Sequence, residues 1–132
     1  MNTSTTDGTI LVLDDCRQLR ELMEIILVRN GYEVLTAADG AEALKIARRT
    51  PKIDLLVSDI EMPGMAGGEL ADRFAELHPL SAIVFVSSWI GRIETSVPYE
   101  FLAKPFTIAE LRDTMRHALR ARPVLEVMSS AA

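Results

Sequence analysis

Residues 54–64 read DLLVSDIEMPG, an apolar run that ends at Asp59 and continues into a turn of Met, Pro and Gly. The run is too short for a helix and is bounded by a turn signal, which favours a buried strand. A second apolar run ends at the pair Asp14 and Asp15, and a third ends at Lys104. In a parallel sheet such strand ends converge on one crevice, so the sequence predicts three carboxylates and one ammonium in a common site.

Short apolar runs alternate with segments of helical spacing along the whole chain. The predicted strands are residues 9–13, 32–36, 54–58, 82–87 and 100–103. Strict alternation predicts an α/β fold, with a parallel sheet covered by helices on both faces. Residues 88–99 contain Gly91 and Pro98 and few residues that favour a helix, so the fourth helix is expected to be short or absent.

The other helices have clear signals. The first ends at Asn30 and Gly31, the second begins at Asp39, the third covers about 67–77, and the last begins at Thr107. Residues on their apolar stripes are predicted to face the core: Leu19, Leu22, Met23, Ile26, Leu27, Leu44, Ala47, Leu70, Phe74, Leu77, Ile108, Leu111, Met115, Ala118 and Leu119. Four arginines of the last helix are predicted to form a solvated face, with a docking patch for an acidic partner as the alternative: Arg112, Arg116, Arg120 and Arg122.

Composition sets limits on the class of protein. The chain has 132 residues, which suits one domain, and we expect it at 9–121 between tails at 1–8 and 122–132. A net charge of -5 argues against direct binding of nucleic acid. The N-terminus lacks the pattern of a signal peptide, and no apolar run is long enough to span a membrane. A single cysteine excludes an internal disulfide and suits a cytoplasmic protein.

The chemistry of the predicted crevice points to phosphoryl transfer. Two carboxylates ~4 Å apart repel by roughly 4 kcal/mol at an effective dielectric of about 20, so such a cluster takes up a proton or a cation. Oxygen ligands favour Mg²⁺, and a carboxylate nucleophile would give an acyl phosphate. Ser87 and Ser88 end the fourth strand and offer a hydroxyl. Taken singly, Asp15 could be a helix cap, Asp59 a turn residue and Lys104 a surface residue.

Four motifs in this order resemble the receiver domains of bacterial two-component response regulators. They are Leu-Asp-Asp after strand one, Asp-Ile-Glu-Met-Pro-Gly-Met-Ala-Gly after strand three, Ser-Ser after strand four and Lys-Pro-Phe after strand five. The resemblance covers about residues 9–121. It implies a doubly wound, flavodoxin-like sheet of five strands in the order 2-1-3-4-5.

The resemblance also implies roles for the acidic residues. Asp59 would accept a phosphoryl group from a phosphohistidine. Asp14 and Asp15, together with Asp59, would hold Mg²⁺ with help from the backbone carbonyl of Glu61. Glu61 would also influence the lifetime of the phosphorylated state.

The remaining implied roles fall on the last two strands. Lys104 would bind the phosphoryl group, Ser87 would be the switch hydroxyl and Phe101 the switch aromatic. Phe101 lacks the hydroxyl of the tyrosine that is often found there, so a readout through a phenol hydrogen bond is absent. Ser87 and Lys104 are 17 positions apart, a few fewer than is usual in the family, and the missing residues fall in the fourth helix.

The implied donor is a sensor histidine kinase or a histidine phosphotransfer protein, and the implied target is an unidentified downstream protein, with a homodimer also possible. The domain would consume and restore its own acceptor, so we do not expect turnover of an external substrate. A receiver-fold interaction module that phosphate does not switch is the main alternative. A haloacid-dehalogenase-like phosphatase would need Asp-x-Asp, and a flavodoxin-like carrier would need a phosphate-binding loop where this chain has aspartates.

Overall fold

A computed structural model describes residues 6–88, 91 and 93–122. Its strands are β1 (Thr9–Leu13), β2 (Glu33–Ala37), β3 (Leu55–Asp59), β4 (Ala82–Ser87) and β5 (Glu100–Ala103). Its helices are α1 (Arg17–Arg29), α2 (Gly40–Arg49), α3 (Gly67–Leu77) and α4 (Ile108–Ala121). The predicted tails fall mostly outside the described residues.

The five strands form one parallel sheet in the order β2-β1-β3-β4-β5. This confirms the predicted doubly wound fold. At the carboxyl ends of the strands, Leu13 lies beside Ser58 and Ser87 lies beside Ala103. The carboxyl ends of β1, β3, β4 and β5 therefore lie at the same edge of the sheet. No helix in the described part of the chain has the length and hydropathy needed to cross a bilayer.

The sheet divides the core into two layers. Alternate side chains of β1 point to opposite faces, as a strand requires. Ile10 and Val12 pack with α1 and α4, whereas Leu11 and Leu13 pack with α2 and α3. The central strands β3 and β4 are buried along their whole length, which explains why they appear in the sequence as continuous apolar runs.

Three side chains that were predicted to face the core are exposed instead: Leu22 by 50%, Leu77 by 41% and Ile108 by 59%. Leu22 is one position from Met23, which α1 buries together with Ile26 and Leu27. Leu77 and Ile108 are terminal residues of α3 and α4. Helical spacing identifies a stripe, but it does not say how wide the covered part is or where the covering sheet ends.

Side-chain caps fix two helix starts. Thr107 accepts a hydrogen bond from the Glu110 N–H, and the Glu110 carboxylate accepts one from the Thr107 N–H, so α4 begins with the predicted capping box. In α2 the Asp39 carboxylate accepts from the Glu42 N–H, as predicted. The Glu42 carboxylate, however, accepts from the N–H of Ala38, one residue before the cap.

The described residues of the connection between β4 and β5 contain no helix, in agreement with the sequence prediction. Trp89, Ile90 and Arg92 of this connection are not among the described residues. This connection is fastened to α3. The Asp72 carboxylate accepts hydrogen bonds from the Thr95 hydroxyl at 2.6 Å and from the Ser96 N–H at 3.0 Å.

Gly68 lets the same connection lie directly against α3. A Cβ atom built at Gly68 would be 2.0 Å from the backbone oxygen of Glu94. Gly68→Ala is therefore expected to displace the connection and to lower the free energy of unfolding by about 1–3 kcal/mol. Chemical denaturation measures this, with Gly40→Ala as the control because its nearest neighbour is the flexible Met65 side chain at 3.1 Å. Equal stability of wild type and Gly68→Ala would contradict the close packing.

A buried carboxylate ties the amino-terminal end of the sheet to the end of α4. Asp54 is buried and accepts hydrogen bonds from the Thr9 N–H at 2.8 Å and from Arg122 Nη1 at 2.7 Å. The prediction that Arg122 belongs to a solvated face is wrong, because its guanidinium reaches this carboxylate. Burial acts to raise the pKa of Asp54, but Thr9, Arg122 and Lys52 together hold that pKa below its ordinary value.

This lowered pKa makes the stability depend on pH. Because the unfolded state binds the proton more readily than the native state, the stabilisation is fully present above the unfolded pKa of about 3.9 and is lost as the pH falls through the folded pKa. Asp54→Asn is expected to cost about 2 kcal/mol near pH 7, and the difference from wild type should shrink below about pH 4. Chemical denaturation of both proteins near pH 7 and below about pH 4 measures this difference in the free energy of unfolding. Glu69→Gln is the control, since Glu69 and its partner Arg73 are both about half exposed.

Candidate functional site

Lys104 joins two carboxylates at the carboxyl ends of the strands. Its Nζ lies 2.8 Å from Asp59 Oδ2 and 3.1 Å from Asp14 Oδ2. Asp14 is fully buried and Asp59 nearly so. Residues that are 45 and 90 positions away from Lys104 along the chain thus meet at one point. The predicted convergence of the strand ends is therefore present for these three residues.

Asp15 completes an acidic cluster. Asp14, Asp15 and Asp59 each offer one carboxylate oxygen, and the three oxygens lie within 4.8 Å of one another. Three ionised carboxylates and one ammonium leave a formal charge of -2, which one divalent cation would neutralise. All three candidate ligands are hard oxygen atoms, so the donor set fits Mg²⁺.

Local backbone groups aim the two buried carboxylates. Asp14 Oδ1 accepts a hydrogen bond from the Cys16 N–H at 2.8 Å, and Asp59 Oδ1 accepts one from the Glu61 N–H at 3.1 Å. In each carboxylate, therefore, one oxygen accepts a hydrogen bond from a backbone N–H and the other accepts one from Lys104 Nζ. A carboxylate has about four acceptor positions, so both retain capacity for a further ligand.

The charge on Lys104 is stabilised by its partners. Burial acts to lower the pKa of the Lys104 ammonium, but the hydrogen bonds and charges of Asp59 and Asp14 outweigh burial and raise that pKa above its ordinary value. Lys104 is therefore a permanent cation at neutral pH. It can balance negative charge that arrives at Asp59.

The predicted switch residues Ser87 and Phe101 lie on β4 and β5. Ser87 is buried at the end of β4, and its carbonyl accepts the N–H of Lys104 at 2.9 Å. Phe101 is partly buried and packs against the core layer under α2 and α3. The exposed Glu61 contacts the site through its N–H, and its predicted role as a carbonyl ligand stays a prediction.

Two contributions to the site were missed at the sequence level. The guanidinium of Arg20 donates a hydrogen bond to the backbone carbonyl of Asp14 at 2.7 Å. Gly67 allows α3 to start against β3, since a Cβ there would be 2.8 Å from the carbonyl oxygen of Asp59. Arg20 lies five residues after Asp15 in the sequence. This position gave no separate signal, because arginine is common on exposed helix faces.

Comparisons with known proteins agree with this geometry. The family model described as the response regulator receiver domain matches residues 10–116. The transcriptional regulatory protein PrrA of Mycobacterium tuberculosis is 34% identical over 136 residues, covering 98% of this chain and 58% of PrrA. The sensor kinase CckA of Brucella abortus is 32% identical over 118 residues, covering 85% of this chain and 12% of CckA. The chain thus spans less than two thirds of these relatives.

Solved structures give the same result. The crystal structure of the receiver domain from the hybrid histidine kinase CckA superposes with a TM-score of 0.76 at 35% identity, covering 85% of this chain and 99% of that chain. The chemotaxis protein CheY4 of Vibrio cholerae gives a TM-score of 0.76 at 27% identity, covering 84% of this chain and 98% of that chain. With the sheet order and the family match over most of its length, the chain belongs to the response regulator receiver domain family.

Proposed function

We propose that Asp59 receives a phosphoryl group from the phosphohistidine of a sensor histidine kinase or a histidine phosphotransfer protein. The observation that carries this proposal is the contact of Lys104 with both Asp59 and Asp14 inside the acidic cluster. One carboxylate oxygen of Asp59 forms the new bond to phosphorus. The bond between phosphorus and the imidazole nitrogen breaks, and its electron pair stays on that nitrogen.

The chain's own residues supply the positioning and the charge balance that phosphoryl transfer needs. Asp14, Asp15 and Asp59, with the backbone carbonyl of Glu61, would hold Mg²⁺. Bound there, Mg²⁺ would neutralise charge on the phosphoryl oxygens. Lys104 keeps its ammonium beside Asp59 and contributes the second positive charge. The Ser87 hydroxyl donates a hydrogen bond to one phosphoryl oxygen.

Phosphorylation changes function by shifting a conformational equilibrium. A ligand shifts such an equilibrium only through different interactions with the two states, and here Ser87 and Phe101 make the difference. Ser87 lies beside Ala103 in the sheet, and Phe101 is two residues before Ala103, so a movement at β4 passes directly to β5. The surface around β5 then changes its affinity for a downstream protein. A homodimer and a cytoplasmic location stay predictions.

The phosphorylated state ends by hydrolysis of the acyl phosphate, which restores Asp59. No external substrate is turned over in this cycle. We therefore propose that the chain acts as a signalling domain and not as an enzyme. Glu61 is exposed and two residues after the acceptor, where it can influence the attacking water. The lifetime of the phosphorylated state is therefore expected to change in Glu61→Ala.

Intact mass spectrometry tests the proposed function. After incubation with acetyl phosphate and Mg²⁺, the wild type is expected to gain one phosphoryl group and Asp59→Asn to gain none. Asp113→Asn is the matched control, because Asp113 is an exposed aspartate of α4. No gain in the wild type, or a gain that persists in Asp59→Asn, would contradict the proposal.

A further inference from the structure

Arg20 lies on the side of α1 next to the acidic cluster and is partly buried. Its Nη1 donates a hydrogen bond to the backbone carbonyl oxygen of Asp14 at 2.7 Å, a short, charge-assisted contact. Asp14 itself is 0% exposed. Loss of the guanidinium would therefore remove a donor from a carbonyl group in a buried residue, which is costly for the local backbone.

The contact acts on the turn that carries two of the three carboxylates. This turn, residues 14–16, is held at both ends by Arg20, since the carbonyl of Cys16 accepts the Arg20 backbone N–H at 2.9 Å while the carbonyl of Asp14 accepts the guanidinium. The carboxylate of Asp14 is aimed by the Cys16 N–H within the same turn. The backbone of the turn thus sets where the side chains of Asp14 and Asp15 point.

We infer that Arg20 is a positioning residue of the divalent-cation site and holds the Asp14-Asp15 turn in the conformation that binds the ion. The inference rests on the proposed function. It predicts a change in Mg²⁺ affinity whose direction is opposite to the one expected from charge alone. By charge alone, removal of a nearby cation would strengthen the binding of Mg²⁺, whereas loss of a positioning contact weakens it.

Isothermal titration calorimetry with MgCl₂ on the full chain tests this. Arg20→Met keeps the aliphatic stem of the side chain and removes every donor. We expect its Kd for Mg²⁺ to rise about tenfold, at the lower end of the effect of outer-shell residues on metal affinity. Arg17→Met is the control: it removes the same charge from the same helix, but the Arg17 side chain is 79% exposed and pairs with Glu21. Its Kd should stay within about twofold of wild type.

A second measurement separates positioning from general support of the fold. The rate of phosphorylation by acetyl phosphate is followed against Mg²⁺ concentration. For Arg20→Met, the half-saturating Mg²⁺ concentration should rise by the same factor as the Kd, and the rate at saturating Mg²⁺ should equal that of wild type. A lower saturating rate with an unchanged half-saturating concentration would overturn the inference, as would an unchanged or lower Kd. So would failure of both Arg20→Met and Arg20→Lys to fold, since Arg20 would then support the fold as a whole.

The outcomes also separate this inference from the proposed function. If the wild type neither binds Mg²⁺ nor gains a phosphoryl group, both proposals fail. If the wild type does both and Arg20→Met matches it at every Mg²⁺ concentration, only the role of Arg20 is overturned.

Discussion

Lys104→Ala is expected to slow phosphoryl uptake from acetyl phosphate by about 100- to 1,000-fold, the usual effect of removing one preorganised group that stabilises developing charge. The ammonium of Lys104 lies 2.8 Å from the carboxylate of Asp59, the proposed acceptor, and the Lys104 side chain is only 21% exposed, so water would replace it poorly. Lys104→Arg should recover little activity, because a planar guanidinium does not fit a site built for a compact charge.

Time courses of intact mass at saturating Mg²⁺ measure this rate. Lys45→Ala is the matched control, since Lys45 is an exposed lysine on α2. The expected result is a large loss for Lys104→Ala and none for Lys45→Ala. A Lys104→Ala rate within about threefold of wild type, a far smaller loss than removal of a charge-stabilising group causes, would exclude the assigned role.

Asp14→Asn is expected to weaken Mg²⁺ binding by at least about 100-fold, because loss of a proposed direct ligand should exceed the 10- to 100-fold effect of outer-shell groups. The amide has nearly the same shape as the carboxylate but lacks its charge. One of its positions also becomes a donor, which faces Lys104 or the Cys16 N–H, both of which are donors themselves. The substitution therefore removes both charge and hydrogen bonds from the cluster.

Titration calorimetry with MgCl₂ gives the affinity of Asp14→Asn directly. Asp113→Asn serves again as the control for the loss of one carboxylate at the surface. Circular dichroism of both variants checks that the fold is kept. Unchanged Mg²⁺ affinity in a folded Asp14→Asn would show that the ion binds elsewhere.

The sheet could be predicted from the sequence because its signals are local and strong. β4 and β5 have the predicted bounds, and the predicted β1 agrees as well. Central strands of a parallel sheet are apolar on both faces, so they appear as unbroken runs between turn residues. β2 and β3 are each shifted by one residue toward the carboxyl end from their predicted bounds, so Asp59 is itself the last residue of β3.

What the sequence did not predict depends on distant contacts. Asp54 and Arg122 are 68 residues apart, and Asp72 is 23 residues from Thr95. No spacing rule links such pairs, because they meet only after the sheet has formed. Arg122 in particular follows the last residue of α4, and only the fold shows that it reaches a buried carboxylate.

The candidate site shows the same division. Its candidate groups could be predicted because Asp14, Asp59 and Lys104 each lie at the carboxyl end of a recognisable strand, and these strand ends meet at one edge of the sheet. The groups that hold them in place were not found. Arg20 acts through a backbone carbonyl, and Gly67 acts through the side chain that it lacks, and neither leaves a pattern in the sequence.

The position of the phosphoryl group tests the central claim most directly. Wild-type protein is phosphorylated with acetyl phosphate and Mg²⁺ and reduced with borohydride, which converts an aspartyl phosphate to homoserine, and its peptides are then sequenced by tandem mass spectrometry. We predict homoserine at position 59 and unmodified aspartate at positions 14 and 15. Homoserine at another aspartate, with position 59 unchanged, would contradict the assignment of Asp59 as the phosphoryl acceptor.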